Sequence, residues 1–249
     1  MIKVESDGGI FRVTLARPEK RNAIDERMIA ELRRALTDAE RPGGGVILLA
    51  AEGPDFCAGM DLQMMAETAD AGSVEFLNAA KRLAELYKAI RYHPKPVIAA
   101  VRGRALGGGC GLALACDAVL AAESAQFGFP EVNIGFVPAL VMVLLRRVVG
   151  EKQAFDSLAS GEPVSAPRAY EIGMITRVFP DAELDAGVEA YAAALAAKSA
   201  TAVGLTKELL YAVDGMSFEA ALEAAAEMNA LARMTEDARR GFARFVKRG

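Results

Sequence analysis

The segment Val97-Ile98-Ala99-Ala100-Val101-Arg102-Gly103-Arg104-Ala105-Leu106-Gly107-Gly108-Gly109-Cys110-Gly111-Leu112-Ala113-Leu114-Ala115-Cys116-Asp117 constrains this chain most. An apolar, β-branched run gives way to glycines and then to an uncharged Ala/Leu/Cys stretch. That pattern predicts a buried strand turning sharply into a helix buried on all sides. Gly107, Gly108 and Gly109 would leave backbone N–H groups bare at a helix N-terminus, where peptide dipoles favour negative charge. Such a turn suits an oxygen that becomes anionic during a reaction; it equally suits a helix that simply packs close. A phosphate-binding loop needs Lys then Ser/Thr after its last glycine, whereas Cys110-Gly111 follows here. The dinucleotide fingerprint G-x-G-x-x-G does not match the spacing of Gly103, Gly107, Gly108 and Gly109.

At 249 residues the chain is long enough for one large domain or a core with a small appendage. A 53% hydrophobic, 25% charged composition is that of a soluble α/β protein. The net charge of −4 argues against a broad electrostatic grip on nucleic acid. No apolar run reaches the length of a membrane span, and residues 1–15 alternate like strands rather than forming a signal peptide. Cys57, Cys110, Cys116 and the lone His93 give no metal-ligand spacing and no disulfide framework, so no metal and a reducing, cytoplasmic compartment are expected.

Residues 2–5 and 10–15, split by Asp7-Gly8-Gly9, read as a hairpin. Met28, Ile29, Leu32, Leu36 and Ala39 share a helical face, residues 41–45 form a turn, and 46–51 form a buried strand. Residues 74–90 are helical, the glycine segment follows, and strands are expected at 118–121 and around Phe127. Helices are then expected at 138–149, 151–160 and 167–172, with a last strand at 175–179. Beyond Pro180 the pattern is helical throughout: 184–198, 202–213, 218–232 and 235–247. The predicted architecture is α/β, with strand-strand-helix units in residues 1–190 and a helical region in 191–249.

A second turn, Pro54-Asp55-Phe56-Cys57-Ala58-Gly59-Met60-Asp61-Leu62, follows the strand at 46–51. Ala58 and Gly59 would let a ligand approach the backbone, and Asp61 is placed to cap a following helix. Together, Phe56-Cys57-Ala58-Gly59-Met60-Asp61-Leu62 and Gly103-Arg104-Ala105-Leu106-Gly107-Gly108-Gly109-Cys110 resemble the two signatures of the crotonase (enoyl-CoA hydratase/isomerase) superfamily. Arg17-Pro18 leading to Asn22-Ala23, Cys116-Asp117, Phe127-Gly128-Phe129-Pro130-Glu131 and Gly135-Phe136-Val137-Pro138 extend the likeness over nearly the whole chain.

The resemblance implies a crotonase-like spiral of repeated ββα units with a helical C-terminal trimerisation region, in a homotrimer or homohexamer. It implies that the N–H groups of Met60 and Gly108 bind an acyl-CoA thioester oxygen, each lowering the barrier by about 3 kcal/mol. Coenzyme A, carried by the substrate rather than bound as a prosthetic group, would lie along Lys20, Arg21, Ala23, Ala58, Gly59, Asp61 and Leu62. Family hydratases use two glutamates; Glu131 matches one, and Gly111 stands where the other would be. Ala139 also replaces a glycine found in many hydratases. A lone glutamate suits a proton shuttle, so the resemblance implies an isomerase moving a 3-enoyl to a 2-enoyl double bond, with Glu131 as acid and base. A hydratase, and a catalytically weak acyl-CoA-binding protein, are the alternatives. Apolar neighbours are expected to raise the pKa of Glu131. Gly111→Glu is expected to find room on its helix while burying an unpartnered charge.

Overall fold

The computed structural model describes residues 1–40, 45–68 and 70–246. The chain opens with the hairpin β1 (Ile2–Asp7) and β2 (Ile10–Leu15), then α1 (Glu26–Ala39) and β3 (Val46–Ala51). Next come α2 (Leu62–Glu67), α3 (Ser73–Arg91), β4 (Val97–Val101), β5 (Arg104–Leu106) and α4 (Gly108–Ala115). β6 (Ala118–Ala122) and β7 (Gln126–Gly128) lead through a 3-10 turn at Pro130–Ile134 to α5 (Ala139–Leu145) and α6 (Glu151–Ser160). β8 (Val164–Ser165), α7 (Ala166–Glu171), β9 (Arg177–Phe179) and α8 (Leu184–Ala196) complete the part built around strands. Three helices close the described chain: α9 (Ala200–Ala212), α10 (Phe218–Met234) and α11 (Glu236–Val246).

A six-stranded sheet runs β1-β2-β3-β4-β6-β9, parallel except for the β1–β2 hairpin. Its central strands read as continuous apolar runs because helices cover them, whereas β1 at the edge is polar and exposed. A smaller sheet, β5-β7-β8, forms a second layer. Isolated bridges Cys57↔Ala105 and Ile24↔Met60 extend that layer across the second glycine turn. β3, β4 and β6 in the large sheet are thus each followed by a shorter extended piece, at Cys57, β5 and β7. Phe56, Phe127, Phe129, Ile24 and Met28 are fully buried in the core.

Two expectations shift for local reasons. The single turn expected between strand and helix contains β5, because Arg104-Ala105-Leu106 pairs with Cys57 on one side and β7 on the other. The last strand starts at Arg177 rather than residue 175, because the N–H groups of Met174 and Ile175 still bond the Ala169 carbonyl at the end of α7. All eight residues of α4 are buried, as an uncharged helix requires. α8 lays Leu184, Val188 and Ala192 on the large sheet, so the division expected at 190/191 falls inside it. The turn at 41–44 and Lys247 of the last expected helix lie outside the described residues.

Candidate active site

Two chain segments are zipped side by side to make the site. Cys57 N–H bonds the Arg104 carbonyl at 3.0 Å and Leu106 N–H bonds the Cys57 carbonyl at 2.9 Å. Beside this ladder the Arg104 guanidinium grips the buried Asp55 carboxylate with two 2.7 Å bonds, holding that carboxyl below its usual pKa range. Gly59 has φ +96°, and a Cβ there would stand 2.9 Å from the Leu106 carbonyl and 3.6 Å from the Gly108 nitrogen. Only glycine allows so close an approach. The neighbours of Met60 are fixed in turn: the Gly59 carbonyl accepts from Ile24 N–H at 2.7 Å, and Asp61 N–H donates to the Ile24 carbonyl at 2.9 Å. Met60 N–H and Gly108 N–H themselves donate to no group among the described residues. Two amides on adjacent backbone segments, one at a helix N-terminus, are left for an acceptor from outside.

Glu131 sits at the start of the 3-10 turn after β7. Its Oε1 lies 2.7 Å from where a Cβ on Gly107 would be, and Gly107 adopts φ +48°. A side chain at 107 would therefore push the carboxylate off the turn that opens α4. Oε2 is buried and has no hydrogen-bond partner among the described residues. Loss of solvation pushes the Glu131 pKa up, which favours a group that both accepts and returns a proton near neutral pH.

The flank of α4 at Gly111 is closed. A Cβ on Gly111 would lie 2.3 Å from Tyr87 Oη, 2.6 Å from Tyr87 Cζ and 2.8 Å from Val141 Cγ1. The room expected for Gly111→Glu does not exist, because a ring from α3, distant in sequence, already fills it.

A sequence profile of the Enoyl-CoA hydratase/isomerase family matches residues 5–249. The chain belongs to that family. A Thermus thermophilus relative, provisionally described as an enoyl-CoA hydratase, is 40% identical over the whole chain and 98% of its own length. The crystal structure of a Mycobacterium smegmatis enoyl-CoA hydratase superposes with a TM-score of 0.95 at 34% identity, covering 99% of this chain and 96% of that one. Human enoyl-CoA hydratase domain-containing protein 3 superposes equally well, at 30% identity, with 99% and 97% covered. The crotonase fold and the acyl-CoA hydratase/isomerase type of enzyme follow for this chain.

Within this crotonase fold, the residues expected along coenzyme A converge on one rim. Lys20 and Arg21 are exposed, and the Arg21 carbonyl accepts from Ala58 N–H at 3.0 Å. Lys20 Nζ reaches Gln63 Oε1 at 3.1 Å, Ala23 and Gly59 are buried, and Leu62 is exposed. Asp61 caps α2 through the N–H groups of Gln63 and Met64, and pairs with Arg17 at 3.1 Å, so its carboxylate is already occupied. An open cavity of about 490 Å³ is lined by Lys20, Asp61 and Gln63 among others.

Sequence reasoning gave Arg17 and Asn22 only as matches to the family pattern. In the fold Arg17 joins the capping carboxylates of two helices, Asp25 at 3.0 Å and Asp61. Buried Asn22 donates to the carbonyls of Glu52 and Asp55 and accepts from Arg17 N–H, all at 2.9 Å. Tyr87 shares its helical spacing with Leu83, Leu86 and Ile90, and nothing local distinguishes it from those core residues. His93 is buried, its ring nitrogens facing the Leu36 carbonyl and Lys95 N–H, which suits a structural role. The three cysteines are free and buried, and burial pushes their thiol pKa values up, that of Cys57 to about 12. Among the described residues no helix is long and apolar enough to cross a membrane.

Proposed function

We propose that this enzyme isomerises 3-enoyl-CoA to 2-enoyl-CoA thioesters with Glu131 as its one proton carrier. The Glu131 carboxylate takes a proton from C2. The C–H electron pair moves into the thioester, giving a dienolate whose oxygen accepts hydrogen bonds from Met60 and Gly108. Glu131 then returns the proton at C4, leaving the double bond between C2 and C3. Preorganised amides in a dry site stabilise the developing oxyanion without reorganising, each by about 3 kcal/mol. The observation that carries this reading is the pairing of an unpartnered, buried Glu131 oxygen with a filled space at Gly111. Hydration needs a second group to activate or deliver water, and α4 has no room to carry one.

Lys20 and Arg21 would meet the coenzyme phosphates, with Ala23, Ala58, Gly59, Asp61 and Leu62 lining its path. A trimer, or a dimer of trimers, in the cytoplasm completes the proposal; exposed Phe218, Leu222, Leu231 and Met234 on α10 support the assembly. Hydratase activity is the second reading, supported by the names its relatives carry. The test is absorbance of the conjugated thioester. It should grow when the protein meets 3-enoyl-CoA and should fall only slowly with 2-enoyl-CoA. Hydration as fast as isomerisation on matched chains would overturn the isomerase reading, and binding without turnover of either would indicate an acyl-CoA-binding protein.

A further inference from the structure

We propose that Tyr87 is a specificity-determining residue. With Val141 it fills the volume from which a second acid–base side chain, or a water, would approach the thioester on the α4 side. The inference rests on the enolate reading above and says what restricts the site to one carboxylate.

Tyr87 projects from the core face of α3, flanked by buried Leu83, Leu86 and Ile90, and is itself only 5% exposed. Its hydroxyl donates to the Gly108 carbonyl at 2.8 Å, which fixes the ring against the first turn of α4. The same hydroxyl lies 3.5 Å from where a Cβ on Gly108 would be, so the ring stands next to the residue whose N–H awaits an oxygen. Every residue of α4 is buried, so a larger residue at 111 would have to displace packed neighbours. Glycine in a helix interior is unfavourable relative to alanine, and here the ring explains why Gly111 is glycine. A water would need both space and several polar partners. On this flank the hydroxyl is committed to a carbonyl and the remaining wall at Val141 is a methyl group.

The experiment compares the natural protein with Tyr87→Leu, Gly111→Glu and the double variant. It reads thermal melting together with the ratio of hydration to isomerisation on enoyl-CoA substrates of matched length. Leucine is too short to reach the positions of Cζ and Oη. Tyr87→Leu should raise the ratio at least about tenfold by opening the flank, and Gly111→Glu in that background should raise it further, toward the roughly hundredfold of a single acid–base contribution. Gly111→Glu alone should melt far below the natural protein and lose less when Tyr87 is also replaced. A folded Tyr87→Leu variant with an unchanged ratio would overturn the role of Tyr87 while leaving the isomerase reading intact. Hydration dominating in the natural protein would overturn that reading first. Should the larger changes not fold, Gly111→Ala decides by melting alone. Alanine normally stabilises a helix over glycine, so a lower Tm supports the filled volume and an equal or higher Tm refutes it.

Discussion

At the residue scale, Glu131 combines a poor environment for charge with the position of a catalyst. Its Oε2 has neither water-like solvation nor a hydrogen-bond donor among the described residues, so ionising it in the fold is harder than in the unfolded chain. Glu131→Gln should cut turnover on the order of a thousandfold while leaving acyl-CoA affinity within a few-fold, checked by steady-state rates and calorimetry. In the natural protein kcat/KM should rise with pH through an apparent pKa above the ordinary glutamate range, and the residual rate of the variant should lack that limb. Stability follows the same displacement. Because the folded pKa is raised, the fold binds the proton more tightly and loses that stabilisation as pH rises through the folded value. Glu131→Gln should therefore melt above the natural protein at pH 8, with the gap closing as pH falls below about 4, beneath the ordinary glutamate pKa. Gly108 allows a second test. It is the first residue of α4, where proline fits the helix and replaces the N–H with a ring carbon that cannot donate. Gly108→Pro should lower kcat/KM about a hundredfold with an unchanged circular dichroism spectrum.

At the scale of elements, the C-terminal helices are held by polar anchors more than by apolar burial. The buried residue of α9 is Lys207, and α10 and α11 bury none. Lys207 Nζ pairs with Asp117 at 2.7 Å and donates to the carbonyls of Ile90 and Lys95. Tyr211 donates to the other Asp117 oxygen at 2.6 Å and lies under the Arg91 guanidinium. The anchor thus connects α9 to the end of α3, to the loop before β4 and to the turn between α4 and β6. Removing one partner of a buried pair leaves the other charge uncompensated, at a cost of about 3–5 kcal/mol. Lys207→Met should lower Tm by on the order of 10 °C. Limited proteolysis should then cut first between α8 and α9, since α8 stays packed on the sheet.

At the scale of the whole molecule, the apolar side chains that α10 and α11 present to solvent are what the proposed assembly would cover. Phe218, Leu222, Leu231 and Met234 on α10, and Phe242 and Phe245 on α11, are all more than half exposed in the single chain. Sedimentation should give a particle of three times 26.3 kDa, or twice that for paired trimers. Leu222→Glu should shift it toward the single chain, and a species already sedimenting at one chain's mass would refute the assembly.

The amino-acid sequence determined what depends on neighbours in the chain. Period-two and continuous apolar patterns placed β2 and β3 at their observed bounds, and the helix expected at 151–160 is α6. The glycine turns and the glutamate after Pro130 were visible for the same reason, since backbone freedom and residue type are local properties. The absence of a carboxylate at Gly111 could be read directly; the reason for it could not. β5 and β8 are only three and two residues long and exist by pairing with distant segments, so their own composition carries little signal. Arg17, Asn22 and Asp55 act through partners up to 49 residues away, which propensity and spacing do not encode. Tyr87 belongs to the same class: its periodicity places it in a core, and only the packing of α3 against α4 brings its hydroxyl to the place where a second acid would stand.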